Sequence, residues 1–283
     1  MITASAPGKI NLYFAVGPKL TSGYHEVCSV YLALNLRESV SVSKSDAYKL
    51  SVTPETAGVP LDESNLVVKA AKLYTDEPLI INIEKRVPVA GGMGGGSADA
   101  AAAALAVQAL TGKQAQDLTP LGADVPFAAM GGLAVGLGVG EKLTPIGTPL
   151  ELHVVLITNQ GGLSTPTVYG KLDELREAAN LVPSENPIAP TELIEALENG
   201  DLSEVVRRIH NDLQWAALEL KPELQETIDS ALAAGALTAI VSGSGPTVFA
   251  IAESAEHASK IAATFGDRAI VTSGPSAGAR IES

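Results

Sequence analysis

Five glycines occupy six positions in GGMGGG, residues 91–96, and the run ends at Ser97 before an alanine-rich segment. The apolar alternation LIINIEKRVPV leads into it. Strand, glycine loop and helix N-terminus together form a device for anions. Glycine lets the backbone adopt conformations closed to other residues and approach a ligand closely. Successive N–H groups then converge on one concavity, and the first helical turn adds unpaired donors and partial positive charge. Ser97 either caps that helix or reaches the ligand with its hydroxyl. Asp99 falls in the first turn, where its charge suits the helix dipole provided that it faces away from a bound phosphate. A glycine hinge for tight helix–sheet packing is the reading without a ligand.

The loop departs from other phosphate and nucleophile patterns. Gly96 is followed by Ser97-Ala98 rather than by lysine and a hydroxyl residue. The loop lies mid-domain, whereas a dinucleotide fingerprint follows the first strand. Ser97 is not a nucleophile elbow, because Asp99 stands where that pattern needs glycine.

Other stretches carry side chains with chemical potential. PGKIN holds Lys9 and Asn11, which share a face if this is a strand. The apolar neighbours of Lys9 favour a buried, partnered ammonium over a solvated one. SGYHEV holds Tyr24 and His25 after a turn, either as ligand contacts or as ordinary packing. LGADVPF holds Asp124, a base or a loop carboxylate that caps the next turn. SGSGPTVFA places Gly243, Ser244 and Gly245 in a turn between two apolar strands.

The elements that must position these residues follow from periodicity. Residues 1–60 read as strands and turns, with SVYLALNL and ESVSVSKS as successive strands. A helix is expected from Ser64, with Leu66, Val67, Ala70, Ala71 and Tyr74 on one face. LGADVPFAAM reads as loop followed by an apolar segment. ELHVVLITN is a buried strand. Residues 166–233 read as helices, and strand–turn–strand, helix and strand follow. The chain is α+β in two domains, 1–148 and 149–283. Residues 171–200 offer no motif.

Composition bounds the function. The 283 residues are 46% hydrophobic and 18% charged, with a net charge of −13. That charge argues against a nucleic-acid partner. The single cysteine, Cys28, sits in an apolar run, fits a structural thiol and suits a reducing compartment. The four histidines are scattered, without metal-cluster spacing. No apolar run is long enough to span a membrane, and the N-terminal residues lack a leader pattern. The expectation is a cytoplasmic enzyme with no membrane partner, a monomer or weak homodimer.

Taken together, PGKINLYFAVGPKLTSGYHEV, GGGSADAA, LGADVPF and GSGPTVFA resemble the GHMP kinases, and the likeness runs from Ala6 to at least Ala250. The resemblance implies an N-terminal domain like ribosomal protein S5 domain 2, a ferredoxin-like C-terminal domain, and an active site in the cleft between them. It implies ATP and Mg²⁺ as cofactors and phosphoryl transfer to an alcohol. SGYHEV and LGADVPF narrow the implied acceptor to a cytidine diphosphate-linked methylerythritol, phosphorylated on its 2-hydroxyl. Homoserine is the alternative acceptor, and a non-catalytic ligand sensor the alternative class. By the same resemblance Asp124 is the general base and Lys9 the charge stabiliser. ATP falls to Asn65, Lys85, Pro88, Gly91, Gly92, Gly94, Gly95, Gly96 and Ser97. The acceptor falls to Asn11, Tyr24, His25, Thr165, Tyr169, Gly243, Ser244 and Gly245. Tyr24 and Tyr169 cover the two faces of cytosine, with His25 at its edge. The metal ligands are left open, with Ser97 and Asp124 as candidates.

Overall fold

The computed structural model describes residues 1–89, 91–184 and 187–282. The first lobe is built on two long antiparallel strands, β1 (Ile2–Lys19) and β2 (His25–Lys44). The two apolar runs expected as separate strands are thus one strand, β2. β3 (Lys49–Thr53), α1 (Leu66–Lys72) and β4 (Leu79–Glu84) form a crossover, with β3 parallel to β4 and β4 antiparallel to β2. The glycine loop then feeds α2 (Gly95–Thr111). α3 (Asp124–Met130), β5 (Leu133–Leu137) and β6 (Lys142–Pro145) complete this part, with β5 paired to β2 and β6. LGADVPFAAM is therefore largely helical. Pro126 sits in the first turn of α3, where its missing N–H costs no intrahelical bond.

α2 is buried nearly all round, through Ala98, Ala100–Ala104, Ala106 and Val107. A helix apolar on every face belongs inside a core. Alanine side chains let it approach the sheet and α1 closely. Their company in this core includes Val40, Val42, Val67, Ile81 and Ile83.

The second lobe carries a four-stranded antiparallel sheet. Its strands are β7 (Leu152–Ile157), β9 (Thr238–Val241), β10 (Val248–Ala252) and β11 (Ala269–Gly274), in the order β11-β7-β10-β9. α9 (Ala255–Ala263) links β10 to β11, and a helical insert links β7 to β9. That insert runs α4 (Thr165–Ala178), α5 (Thr191–Asn199), α6 (Leu202–Arg208), α7 (Leu213–Leu220) and α8 (Glu223–Ala233). First strand between third and last, second at the edge, is the ferredoxin-like arrangement.

Two short strands stitch the lobes. β8 (His210–Asn211) runs parallel to β1 at Tyr13 and Phe14, and β12 (Arg280–Ile281) pairs with β1 at Ala4 and Ser5. Arg37 of β2 is the buried clasp for the second stitch. Its guanidinium donates to Ser5 Oγ, the Ser5 carbonyl, Ser276 Oγ and the carbonyls of Ala277 and Gly278, at 2.6–3.1 Å. Removing it leaves buried acceptors without a donor. Arg37→Met should lower unfolding stability by about 2–4 kcal/mol in urea titration, with an unchanged m-value.

Candidate active site

β1 carries bulges between Pro7 and Lys9 and between Asn11 and Tyr13. Bulges re-aim side chains next to functional sites. Lys9 is 8% exposed. Its Nζ donates to Asn11 Oδ1 at 2.8 Å and to the Gly92 carbonyl at 3.1 Å, and lies 3.8 Å from Asp124 Oδ2. Asp124 is the first residue of α3 and remains one-third exposed at its side chain. Asn11 Nδ2 donates in turn to Ser29 Oγ at 2.7 Å.

The glycine loop crosses directly in front of Lys9. Gly92 and Gly94 have φ of +74° and +68°, a region L side chains rarely adopt. A Cβ at Gly92 would also run into the Ser242 carbonyl, so the loop meets the 242–247 turn backbone to backbone. That turn is held from below by Asn211, whose Nδ2 donates to the carbonyls of Val241 and Gly243, both at 2.8 Å. Gly94 is the N-cap of α2, and Ser97 is its third residue rather than its cap. The first-turn N–H groups have no intrahelical partner, and these are the anion donors expected of the loop.

Three adjoining cavities run through the cleft. The first, about 350 Å³, is lined by Asn65, Leu66, Lys85, Pro88 and the 91–96 loop. The central one, about 420 Å³, is lined by Lys9, Asn11, Tyr31, Gly92, Gly94, Ser97 and Asp124 on one side. Thr165, Tyr169, Gly243 and Ser244 line its other side. The third, about 470 Å³, is lined by Tyr24, His25, Thr165, Tyr169 and Asp173. Leu66, Gly92 and Gly94 are shared by the first two, and Val139, Thr165 and Tyr169 by the last two.

Most of the expected site residues therefore meet along one path. Gly245 lies behind it, its N–H bonded to the Ser242 carbonyl at 2.9 Å. Tyr24 stands on the rim, 67% exposed. His25 is buried, its ring 4.9 Å from that of Tyr169 and its Nε2 2.9 Å from Asp173 Oδ1. Thr165 Oγ1 and Ser244 Oγ are 3.0 Å apart. Asn65 caps α1: its Oδ1 accepts from the Val67 N–H and its Nδ2 donates to the Pro60 carbonyl.

Lys85 differs from the expectation of an open nucleotide contact. Although it borders the first cavity, its ammonium lies 2.5 Å from Glu38 Oε1 and 2.7 Å from Asp99 Oδ2, and all three side chains are buried. Asp99 is thus drawn under the loop and serves Lys85 rather than the helix dipole. Burial, and then the neighbouring Glu38 carboxylate, push Asp99 up to about 7, against the pull of Lys85. Burial also raises Glu38. Burial draws Lys85 down, but the two carboxylates outweigh it and hold its pKa above the usual lysine value.

Glu38, Ser29, Tyr31 and Asp173 were not singled out from the sequence. Asp173 had a signal, since it falls four and eight residues after Tyr169 and Thr165 on one face of a helix. Ser29 and Tyr31 sit in apolar strand sequence and Glu38 in the polar stretch Arg37-Glu38-Ser39, with no local mark of function.

A two-lobed fold with a glycine loop, a lysine–carboxylate pair and a second glycine turn around one cleft defines a class. Residues 65–132 match the N-terminal domain of the GHMP kinases, and residues 193–270 match their C-terminal domain. The chain belongs to the GHMP kinase family. It is 43% identical to the 4-diphosphocytidyl-2-C-methyl-D-erythritol kinase of Arthrobacter sp. (strain FB24), over 99% of this chain and 94% of that one. Identity to the enzyme of the same name from Nocardia farcinica is 42%, over 99% and 96%. A crystal structure of 4-(cytidine 5'-diphospho)-2C-methyl-D-erythritol kinase superposes with a TM-score of 0.78 at 31% identity, covering 96% of this chain and 98% of that one. Homoserine kinase from Cytophaga hutchinsonii shares the fold, with a TM-score of 0.70 at 21% identity over 99% of this chain and 97% of the other.

The buried Lys85 cluster makes the pH dependence of stability specific. With its folded pKa raised to about 7, Asp99 holds its proton in the folded state where the unfolded chain has already released it. The contribution of Asp99 to stability should therefore fall as pH rises from about 4 to about 7 and level off above. Asp99→Asn, which leaves Lys85 paired with Glu38, should lack this component. Its melting temperature should gain on wild type across that window, and a constant difference from about pH 4 to about pH 8 would refute the assignment.

Proposed function

We propose that this chain transfers the γ-phosphoryl group of ATP to the 2-hydroxyl of 4-diphosphocytidyl-2-C-methyl-D-erythritol. One observation carries the reading. Three adjoining cavities open in a row, the Lys9–Asp124 pair lies in the middle one, the glycine loop bounds one end, and paired aromatics bound the other. A long acceptor with a nucleobase at one end and a polyol at the other fits the central and third cavities. The first cavity is left for the donor nucleotide.

Each side chain has a task in this scheme. The first-turn N–H groups of α2 and the Ser97 hydroxyl bind phosphate oxygens. Asp124 takes the proton from the attacking hydroxyl, which has the apolar wall of Leu213 and Phe14 nearby to exclude water. The Lys9 ammonium offsets charge on the attacking oxygen. Asn11, fixed between Lys9 and Ser29, orients the acceptor. Tyr24 and Tyr169 take the faces of cytosine, a type of contact worth about 1–3 kcal/mol per base. His25 donates from Nε2 to Asp173, which leaves Nδ1 free to accept from the exocyclic amine of cytosine.

Among the described residues no three carboxylate, histidine or cysteine side chains gather as a metal cage. Ser97 and Asp124 both face the central cavity and offer hard oxygen ligands. Two protein oxygens supplemented by phosphate and water suit Mg²⁺. Bound there, Mg²⁺ supplies charge neutralisation along the phosphate chain. We also propose that the two lobes divide near residue 148, a reading supported by its position between β6 and β7.

Product analysis with each alcohol in excess ATP and magnesium tests the substrate. ADP should appear with the cytidylated methylerythritol, and release with homoserine alone would overturn the assignment. Asp124→Asn should retain nucleotide binding while kcat falls by about two to four orders of magnitude. Turnover at the wild-type rate would remove Asp124 as base. Tyr24→Ala should raise KM for the acceptor about tenfold or more and leave KM for ATP within about twofold.

A further inference from the structure

Tyr31 of β2 is a buried phenol in the wall of the central cavity. It stands opposite Asn11 in the β1–β2 ladder, two positions from Ser29 and on the same face of the strand. Its ring stacks on Phe127 of α3, with centroids 4.9 Å apart and planes at 30°. Side chains larger than hydrogen at Gly136 or Gly140 would strike this ring or its hydroxyl, so β5 and the turn after it are shaped around the residue. The Lys9 ammonium lies 5.7 Å from the ring centre. The phenol and the Asp124 carboxylate line the same cavity, with the Ser29 hydroxyl beside the phenol, and burial together with Asp124 holds the phenol pKa well above the usual tyrosine value.

The donors form a closed circuit. Lys9 donates to Asn11 Oδ1, and Asn11 Nδ2 donates to Ser29 Oγ. Ser29 then has one proton left, for which the neighbouring phenol oxygen is an acceptor. The phenol's own proton has the Asp124 carboxylate, which cannot donate, as a neighbouring acceptor. Asp124 closes the circuit by facing Lys9 at 3.8 Å. We propose that Tyr31 is a positioning residue for Asp124: its O–H, oriented by Ser29, fixes the carboxylate so that one oxygen faces the acceptor hydroxyl. This rests on the reading of Asp124 as the base. Asp124 is otherwise one-third exposed and has only the long contact to Lys9 to fix its rotation.

Tyr31→Phe keeps the ring and its stacking and removes only the O–H. With ATP and the cytidylated methylerythritol, kcat should fall about tenfold or more while both KM values stay within about threefold. Ser29→Ala should give a smaller loss in the same direction, and the double variant should be no worse than Tyr31→Phe alone. The melting temperature of Tyr31→Phe should stay within a few degrees of wild type. Wild-type kcat would overturn the proposal. So would a loss that appears equally in KM and melting temperature, which is the mark of a packing role. Asp124→Asn assayed alongside separates the two readings. If Asp124→Asn is inactive and Tyr31→Phe behaves as wild type, only the positioning role fails. If Asp124→Asn turns over normally, the base reading fails and takes this proposal with it.

Discussion

The ammonium of Lys9 is the constraint around which the cleft is arranged. A buried cation is tolerated only where polar and anionic partners replace its water. Lys9 draws those partners from separate parts of the chain. Asn11 lies on its own strand, the Gly92 carbonyl comes from the glycine loop, and Asp124 begins α3. A Cβ at Gly243 would lie 3.9 Å from the same ammonium, so the second glycine turn comes within reach as well. Satisfying one charge thus brings four stretches of the chain, from Lys9 to Gly243, to a single point. The bulges that flank Lys9 and Asn11 are the backbone adjustment that allows both side chains to reach it.

A second buried lysine does different work. Lys85 sits beneath the loop, held by Glu38 from β2 and Asp99 from α2. Glu38 Oε2 also accepts from the Arg86 N–H. The cluster ties the end of β4 to the start of α2, and the glycine loop is the arch between those two abutments. A flexible, side-chain-free segment could not hold converging N–H groups unless both ends were fixed. The charges below the loop supply that fixity, and the loop's own contacts with the 242–247 turn supply the rest.

Much of this was legible in the sequence, and the exceptions share a physical cause. The glycine run before an alanine segment named its own geometry, because both residue types act through local backbone preference. Lys9 and Asn11 were readable as one face through strand alternation. The start of α3 at Asp124 was not, since Gly122 and Pro126 signal a turn as strongly as a helix. Tyr31 was hidden because a single polar group in an apolar strand looks the same whether it is partnered or not, and Glu38 because, between Arg37 and Ser39, it reads as an ordinary solvated charge. The partners that give each its role come from β4, α2 and α3, and no local pattern records them. β8 and β12 were equally invisible. A two-residue strand has no periodicity of its own, and only pairing with β1 defines it.

That last pairing bears on how the molecule is assembled during synthesis. Arg37 belongs to the second strand of the first lobe, yet Ser276, one of its hydrogen-bond acceptors, lies 239 positions later. While the chain is being made, the first lobe can collapse around α2 and Arg37 can reach Ser5, but its bonds to Ser276, Ala277 and Gly278 must await the tail. Domains usually mature in the order of translation. Here the earlier lobe stays incomplete until the later one has been built, which couples the two into one cooperative unit.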